Sequence, residues 1–203
     1  MGMTRPLFVI GMQRNGTSIL ARIVQSADGV SRQFHPCPRW DIPAVAEIGG
    51  AVPPGKGLWT AALRRHMTRI PGTWALAKLA LPMMAESFAW PRLARLFPKA
   101  AFILIRRQPA DAHLSWRTLP YLLDDEAQAK IKPVAYLEWA TRQLELLELF
   151  AARNKGRSVL VAYEDMVIAP RPTLAPVWKL IGGEPKTGWE SCIRKPKHWN
   201  VAL

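Results

Sequence analysis

The sequence predicts an α/β protein whose central parallel sheet is covered by helices on both faces. Three observations carry that expectation. Short, wholly apolar runs such as residues 7–10 (LFVI) and 101–105 (AFILI) have the composition of strands buried on both sides. They alternate with longer stretches in which apolar residues recur every three or four positions, as on one face of a helix. The first apolar run also enters a helical pattern through a glycine-bounded loop, a connection that turns backbone amides toward an anion.

Taken in order, the run at 7–10 stops at Gly11, and Thr17 and Ser18 open a helix with Ile19, Leu20, Ile23 and Val24 on one face. Residues 30–34 read as a weak second strand. Nine Pro and Gly residues between Pro36 and Gly57 mark a long irregular loop over about residues 36–58. A basic helix is expected over 59–70, and a third strand over 73–79 with Lys78 near its end. The helical pattern at 83–97 contains Pro91, which must kink it or start a new helix. The cleanest strand, 101–105, precedes a helix over 109–121 that has proline in its first turn. Leu137, Ala140, Leu144, Leu147 and Ala151 form one stripe of a long helix over 133–151. A fifth strand is expected at 158–162, and a last helix runs from Pro172 to its glycine stop at Gly182. About five strands are therefore expected, in a single domain spanning 1–203.

With 203 residues, 49% hydrophobic and 21% charged, the chain has globular proportions. It contains no apolar run of the roughly 18 residues that span a membrane, and the apolar run at the N-terminus is too short for a signal peptide. Cys37 and Cys192 are far apart and form no CxxC pair, so neither a disulfide framework nor a zinc site is indicated, and a reducing cytoplasm is expected. The net charge of +13 speaks about partners: nucleic acid, peripheral contact with anionic surfaces, or polyanionic small ligands. No helix-turn-helix, RNP or zinc pattern supports nucleic acid.

The loop from Gly11 to Ser18 has the glycine spacing of G-x-x-x-x-G-K-[ST], with Ser18 in the hydroxyl position. Thr17 stands where the lysine of a triphosphate-binding loop would be, and a cation, Arg14, lies inside the loop instead. Apolar residues 103–105 run into Arg106, and 160–162 into Tyr163, so neither strand ends in the aspartate of a magnesium-dependent kinase. The loop suits a phosphate-like group that is not a triphosphate. A degenerate magnesium-dependent kinase and a non-enzymatic polyanion- or nucleic-acid-binding domain remain the alternatives. The stretch from Arg106 to Ser115 (RRQPADAHLS) adds an arginine at the carboxyl edge of a strand and a hydroxyl two turns into the next helix. Such a pair can grip one phosphate. Asp111, in the first helical turn, complements the helix dipole.

These two motifs resemble those of P-loop-type sulfotransferases. Arg14, Gly16, Thr17 and Ser18 fit the 5′-phosphosulfate loop P-[KR]-S-G-T-[TS], with Gln13 and Asn15 in place of Pro and Ser. Arg107, Pro109, Asp111 and Ser115 fit the 3′-phosphate motif R-x-P-x-D-x-x-x-S. Lys78 resembles the lysine of a K-x-P segment, and residues 162–166 (AYEDM) resemble Y-E-D-L, where Glu164 holds loops through backbone amides. Residues 193–195 and 199–200 are similar to a basic tail that closes over the 3′-phosphate and would involve Arg194, although Pro196 replaces a glycine; Ile19 replaces an adenine-stacking tryptophan.

The resemblance implies a soluble enzyme with a P-loop-like three-layer fold. It would move a sulfuryl group from 3′-phosphoadenosine 5′-phosphosulfate (PAPS) to a hydroxyl or amine of a small-molecule, lipid or glycan acceptor, without a metal. The implied cofactor-binding residues are Arg14, Asn15, Gly16, Thr17, Ser18, Arg107, Ser115 and Arg194. Arg14 and Lys78 would stabilise the leaving oxygen, and His35, beyond the second strand, is the candidate base. Asp41 and Glu47 are its rivals from the same loop, while His66, His113 and His198 are less well placed.

Overall fold

The computed structural model describes residues 4–31, 73–81, 90–117 and 132–193. Strand β1 (Arg5–Met12) leads into α1 (Thr17–Gln25). Then come β2 (Trp74–Leu81), α2 (Trp90–Leu96), β3 (Ala101–Arg106), α3 (Pro109–Arg117) and α4 (Pro133–Arg153). The order closes with β4 (Ser158–Ala162), α5 (Tyr163–Ile168), α6 (Pro170–Ile181) and a short 3-10 turn, Trp189–Cys192. Every strand pair is parallel, and the spatial order is β2-β1-β3-β4.

That order follows from the strand sequences. Leu7 to Ile10 in β1 and Phe102 to Ile105 in β3 have no exposed surface, so both strands belong in the middle of the sheet with helices on both sides. Alternate residues feed two cores. Phe8, Ile10, Phe102 and Leu104 meet α2 and α4 on one face. Leu7, Val9, Ile103 and Ile105 meet α1 and α6 on the other. The longest helix among the described residues, α4, turns Tyr136, Ala140, Gln143, Leu147 and Phe150 inward. Of the expected stripe, Ala140 and Leu147 are buried, Leu144 and Ala151 pack partly, and Leu137 is exposed. Pro91 is the second residue of α2 as described, and residues 83–89 of the expected helix lie outside the described residues. Gly182 ends α6 in the left-handed conformation, at φ 66°.

Two expectations are corrected. The described residues contain four strands rather than about five. Val30 makes one isolated bridge with Trp74, and the Ser31 amide donates to Trp74 O at 2.9 Å, but a single bridge is not a ladder. Residues 32–34 and the helix expected over 59–70 lie outside the described residues. Lys78 is also not at a strand end, because β2 runs on to Leu81. Leu79 and Leu81 continue the buried alternation begun at Ala75, so the strand stops only before Pro82.

The chain crosses from β2 over β1 to β3, so the strand order reverses between β1 and β3. In parallel sheets ligands bind at the carboxyl ends of strands at such a reversal. The loop after β1 and Arg107 after β3 both lie there.

Candidate active site

The loop between β1 and α1 is held from below. Gly11 sits where a Cβ would come within 2.7 Å of Ile105 O and Cγ2, so only glycine lets β1 and β3 approach at this level. Asn15 is fully buried; its amide nitrogen donates to Met12 O at 3.2 Å, and its side-chain Nδ2 reaches Ile105 O at 3.5 Å. The loop backbone turns through two left-handed residues, Arg14 at φ 66° and Gly16 at φ 91°. The non-glycine Arg14 pays local strain to take that conformation. Helix α1 then begins with no side-chain cap and no acidic residue in its first turn. Its first-turn amides and positive dipole end are left for an anion.

Three cations converge on this loop, and each is tied to it differently. Arg14 extends to α3, where Nε and Nη2 donate to Ser115 Oγ at 3.2 and 2.9 Å. Lys78, 8% exposed, rises from within β2 and donates from Nζ to Ser18 Oγ at 3.2 Å. Arg107, 4% exposed, donates from Nη1 to Arg14 O at 2.9 Å and lies over the Tyr163 ring, 4.4 Å from its centroid. Its Nε and Nη2 are buried with no hydrogen-bond partner. A guanidinium with two nitrogens in that state is costly without an anion beside it.

Arg14, Thr17, Ser18, Arg107, Ser115 and Tyr163 are among the residues lining a cavity of about 170 Å³ here. Eight of the ten residues singled out from the sequence are described, and seven of these gather at the loop. Asn15 lies beneath it as support, and His35 and Arg194 lie outside the described residues, as do Asp41 and Glu47. Glu164 has the loop-holding contact expected of it, accepting a hydrogen bond from the Gln108 amide at 2.9 Å. Sequence reasoning missed Tyr163. Its signal was its position, directly after the last residue of β4 and directly before Glu164.

The electrostatics around Arg107 follow from burial. Burial raises the Tyr163 phenol above its usual range, with Arg107 pulling the other way. Burial likewise pushes Tyr136 up to about 12, against the same Arg107. His113 packs between Trp116 and Tyr136, with ring centroids at 5.9 and 4.9 Å, and burial and Arg117 lower its pKa. It belongs to the packing of α3 on α4.

A phosphate cradle on a parallel sheet is shared by many activities. The family profile described as "Sulfotransferase family" matches residues 64–185, more than half of the chain. The chain belongs to the sulfotransferase family. The fold agrees. The crystal structure of a sulfotransferase from Alicyclobacillus acidocaldarius is similar with a TM-score of 0.57 and 18% identity, over 96% of this chain and 88% of that one. The sulfotransferase domain from the curacin biosynthetic pathway gives a TM-score of 0.60 at 14% identity, over 97% and 80%. Mouse sulfotransferase SULT7A1, solved in complex with PAP, gives 0.54 at 15% identity, over 93% of this chain and 63% of its own. Identities this low speak for the fold. No curated protein matches this sulfotransferase significantly by sequence. Among its described residues, no helix is long and apolar enough to cross a membrane.

Proposed function

We propose that this sulfotransferase takes its sulfuryl group from PAPS and delivers it by in-line displacement to a hydroxyl or amine of a small-molecule, lipid or glycan acceptor. The observation that carries this reading is Arg107. A buried guanidinium with two unpartnered nitrogens lines the cavity at the mouth of an uncapped helix N-terminus. That arrangement suits a ligand with phosphate at two places, and the mouse relative solved with PAP supports the choice of nucleotide.

In this reading the first-turn amides of α1, with the Thr17 and Ser18 hydroxyls, hold the 5′-phosphosulfate end. Arg107 and Ser115 hold the 3′-phosphate, and Arg194 closes over it. Arg14 spans the two ends, since its backbone belongs to the loop while its guanidinium bonds Ser115. Lys78, beneath Ser18, and Arg14 place positive charge where the bridging oxygen becomes negative as the S–O bond breaks. His35 takes the acceptor's proton.

Calorimetric titration with 3′-phosphoadenosine 5′-phosphate (PAP), with ATP and magnesium, and with duplex DNA at moderate salt tests the reading. Tight binding of PAP alone is expected. Preference for ATP with magnesium would make the chain a nucleotide-dependent kinase, and preference for DNA a polyanion-binding domain. Transfer is also expected to survive excess EDTA, because side chains supply the charge; loss with EDTA and rescue by magnesium would overturn that point.

A further inference from the structure

Tyr163 makes two contacts at once. Its ring face lies under Arg107, with the guanidinium carbon 4.4 Å from the centroid. Its ring edge closes against Gly16, where an added Cβ would come within 2.5 Å of Tyr163 Cδ2. The next residue, Glu164, accepts a hydrogen bond from the Gln108 amide at 2.9 Å. Two consecutive residues at the start of α5 thus fix two consecutive residues after β3.

Arg107 needs such support. Its single hydrogen bond, from Nη1 to Arg14 O, fixes only one nitrogen of the guanidinium. Nε and Nη2 make no hydrogen bond that would set its plane. An aromatic face beneath a desolvated cation supplies both the missing attraction and the missing orientation. A phosphate gripped by two parallel N–H bonds requires the plane to be set before the ligand arrives.

We propose that Tyr163 is a positioning residue for phosphate recognition: its ring face fixes the plane of the Arg107 guanidinium for the 3′-phosphate. This rests on the reading of PAPS as the donor. The neutral ring acts here and not a phenolate: a tyrosine phenol is protonated at neutral pH, and burial raises this one further.

The test compares PAP with adenosine 5′-monophosphate (AMP), which lacks the 3′-phosphate, by calorimetry on wild type and Tyr163 variants. A wild-type protein that does not prefer PAP overturns the donor assignment itself, before any variant is considered. Given that preference, Tyr163→Phe is expected to keep the PAP-to-AMP affinity ratio within about twofold, and Tyr163→Leu and Tyr163→Met to lower it about tenfold with little change for AMP. Arg107→Ala/Tyr163→Leu should then lose no more of the ratio than Arg107→Ala alone. The proposal is overturned if the Leu and Met variants keep the ratio, or if both ligands weaken equally. It is overturned too if Phe loses the ratio, which would make the hydroxyl the active group. Should Leu and Met fail to fold, phenylalanines carrying one to three ring fluorines at 163 replace them. A stepwise fall in the ratio with fluorine supports the proposal, and a constant ratio overturns it.

Discussion

Arg14 and Ser115, separated by 101 positions, are joined by two hydrogen bonds onto one hydroxyl, at 3.2 Å from Nε and 2.9 Å from Nη2. The motif loop after β1 and the motif helix after β3 are therefore one structure. Ser115→Ala removes that acceptor and the proposed contact to the 3′-phosphate together. PAP affinity is expected to fall about ten- to a hundredfold, the value of roughly one charge-assisted hydrogen bond. Adenosine 5′-phosphosulfate should lose less, and equal losses in calorimetry would detach Ser115 from the 3′ end.

Arg107→Met separates binding from stability. The wild-type side chain buries a charge with two unpartnered nitrogens, and an apolar replacement of similar length removes that cost. The ligand-free melting temperature is expected to stay the same or rise by about 2–4 °C, the equivalent of roughly 1 kcal/mol. The increase that PAP gives the wild type should vanish. A fall of the ligand-free melting temperature would instead make Arg107 an anchor of the loop through its bond to Arg14 O.

Gly16 and Gly156 have nearly the same φ, 91° and 93°, but different surroundings. An added Cβ at Gly156 meets nothing within 4 Å, whereas at Gly16 it meets Tyr163. Gly156→Ala is expected to cost about 1–2 kcal/mol, from the left-handed conformation alone. Gly16→Ala should cost about 1–3 kcal/mol more, from the clash, and should also abolish PAP binding. Urea midpoints of the two variants give the difference, and equal midpoints would mean that the Tyr163 ring moves away freely.

His113 sets a pH dependence. Burial and Arg117 depress its pKa in the folded protein, so the unfolded chain takes up a proton first as pH falls. Stability is full above the unfolded value, about 6.5, and declines as pH drops through it toward the folded value. His113→Leu cannot titrate and should flatten that part of the curve. Urea midpoints at pH 7.5 and 5.5 test this, the variant being expected to show the smaller difference.

His35→Ala should lower kcat by about 10²–10⁴-fold if this residue is the base. PAP affinity should hardly change. Because neutral imidazole is the active form, the acidic limb of the kcat/KM profile should disappear. Asp41→Asn and Glu47→Gln are the controls; an active His35 variant beside a dead carboxylate variant would move the base to that carboxylate.

The sequence by itself determined the parallel α/β class, because strands buried on both faces must be continuously apolar, as residues 7–10 and 101–105 are. It also marked the glycine loop and made Arg107 and Ser115 candidates for one phosphate, because anion binding calls for a glycine turn, a helix start and a fixed cation within a few residues. In the structure both line the cavity at the loop, and Ser115 is bonded to Arg14. The tertiary structure decided the rest. Lys78 lies inside β2 rather than at its end, because burial of Leu79 and Leu81 extends the strand. Val30 makes one isolated bridge, to Trp74, a partner 44 positions away that local pattern does not contain, and residues 32–34 lie outside the described residues. The joining of Arg14 to Ser115, and of Tyr163 to both Arg107 and Gly16, is set by which strands lie side by side. The order β2-β1-β3-β4 brings the ends of β1, β3 and β4 together, and contacts between residues so far apart in the chain leave no periodicity along it.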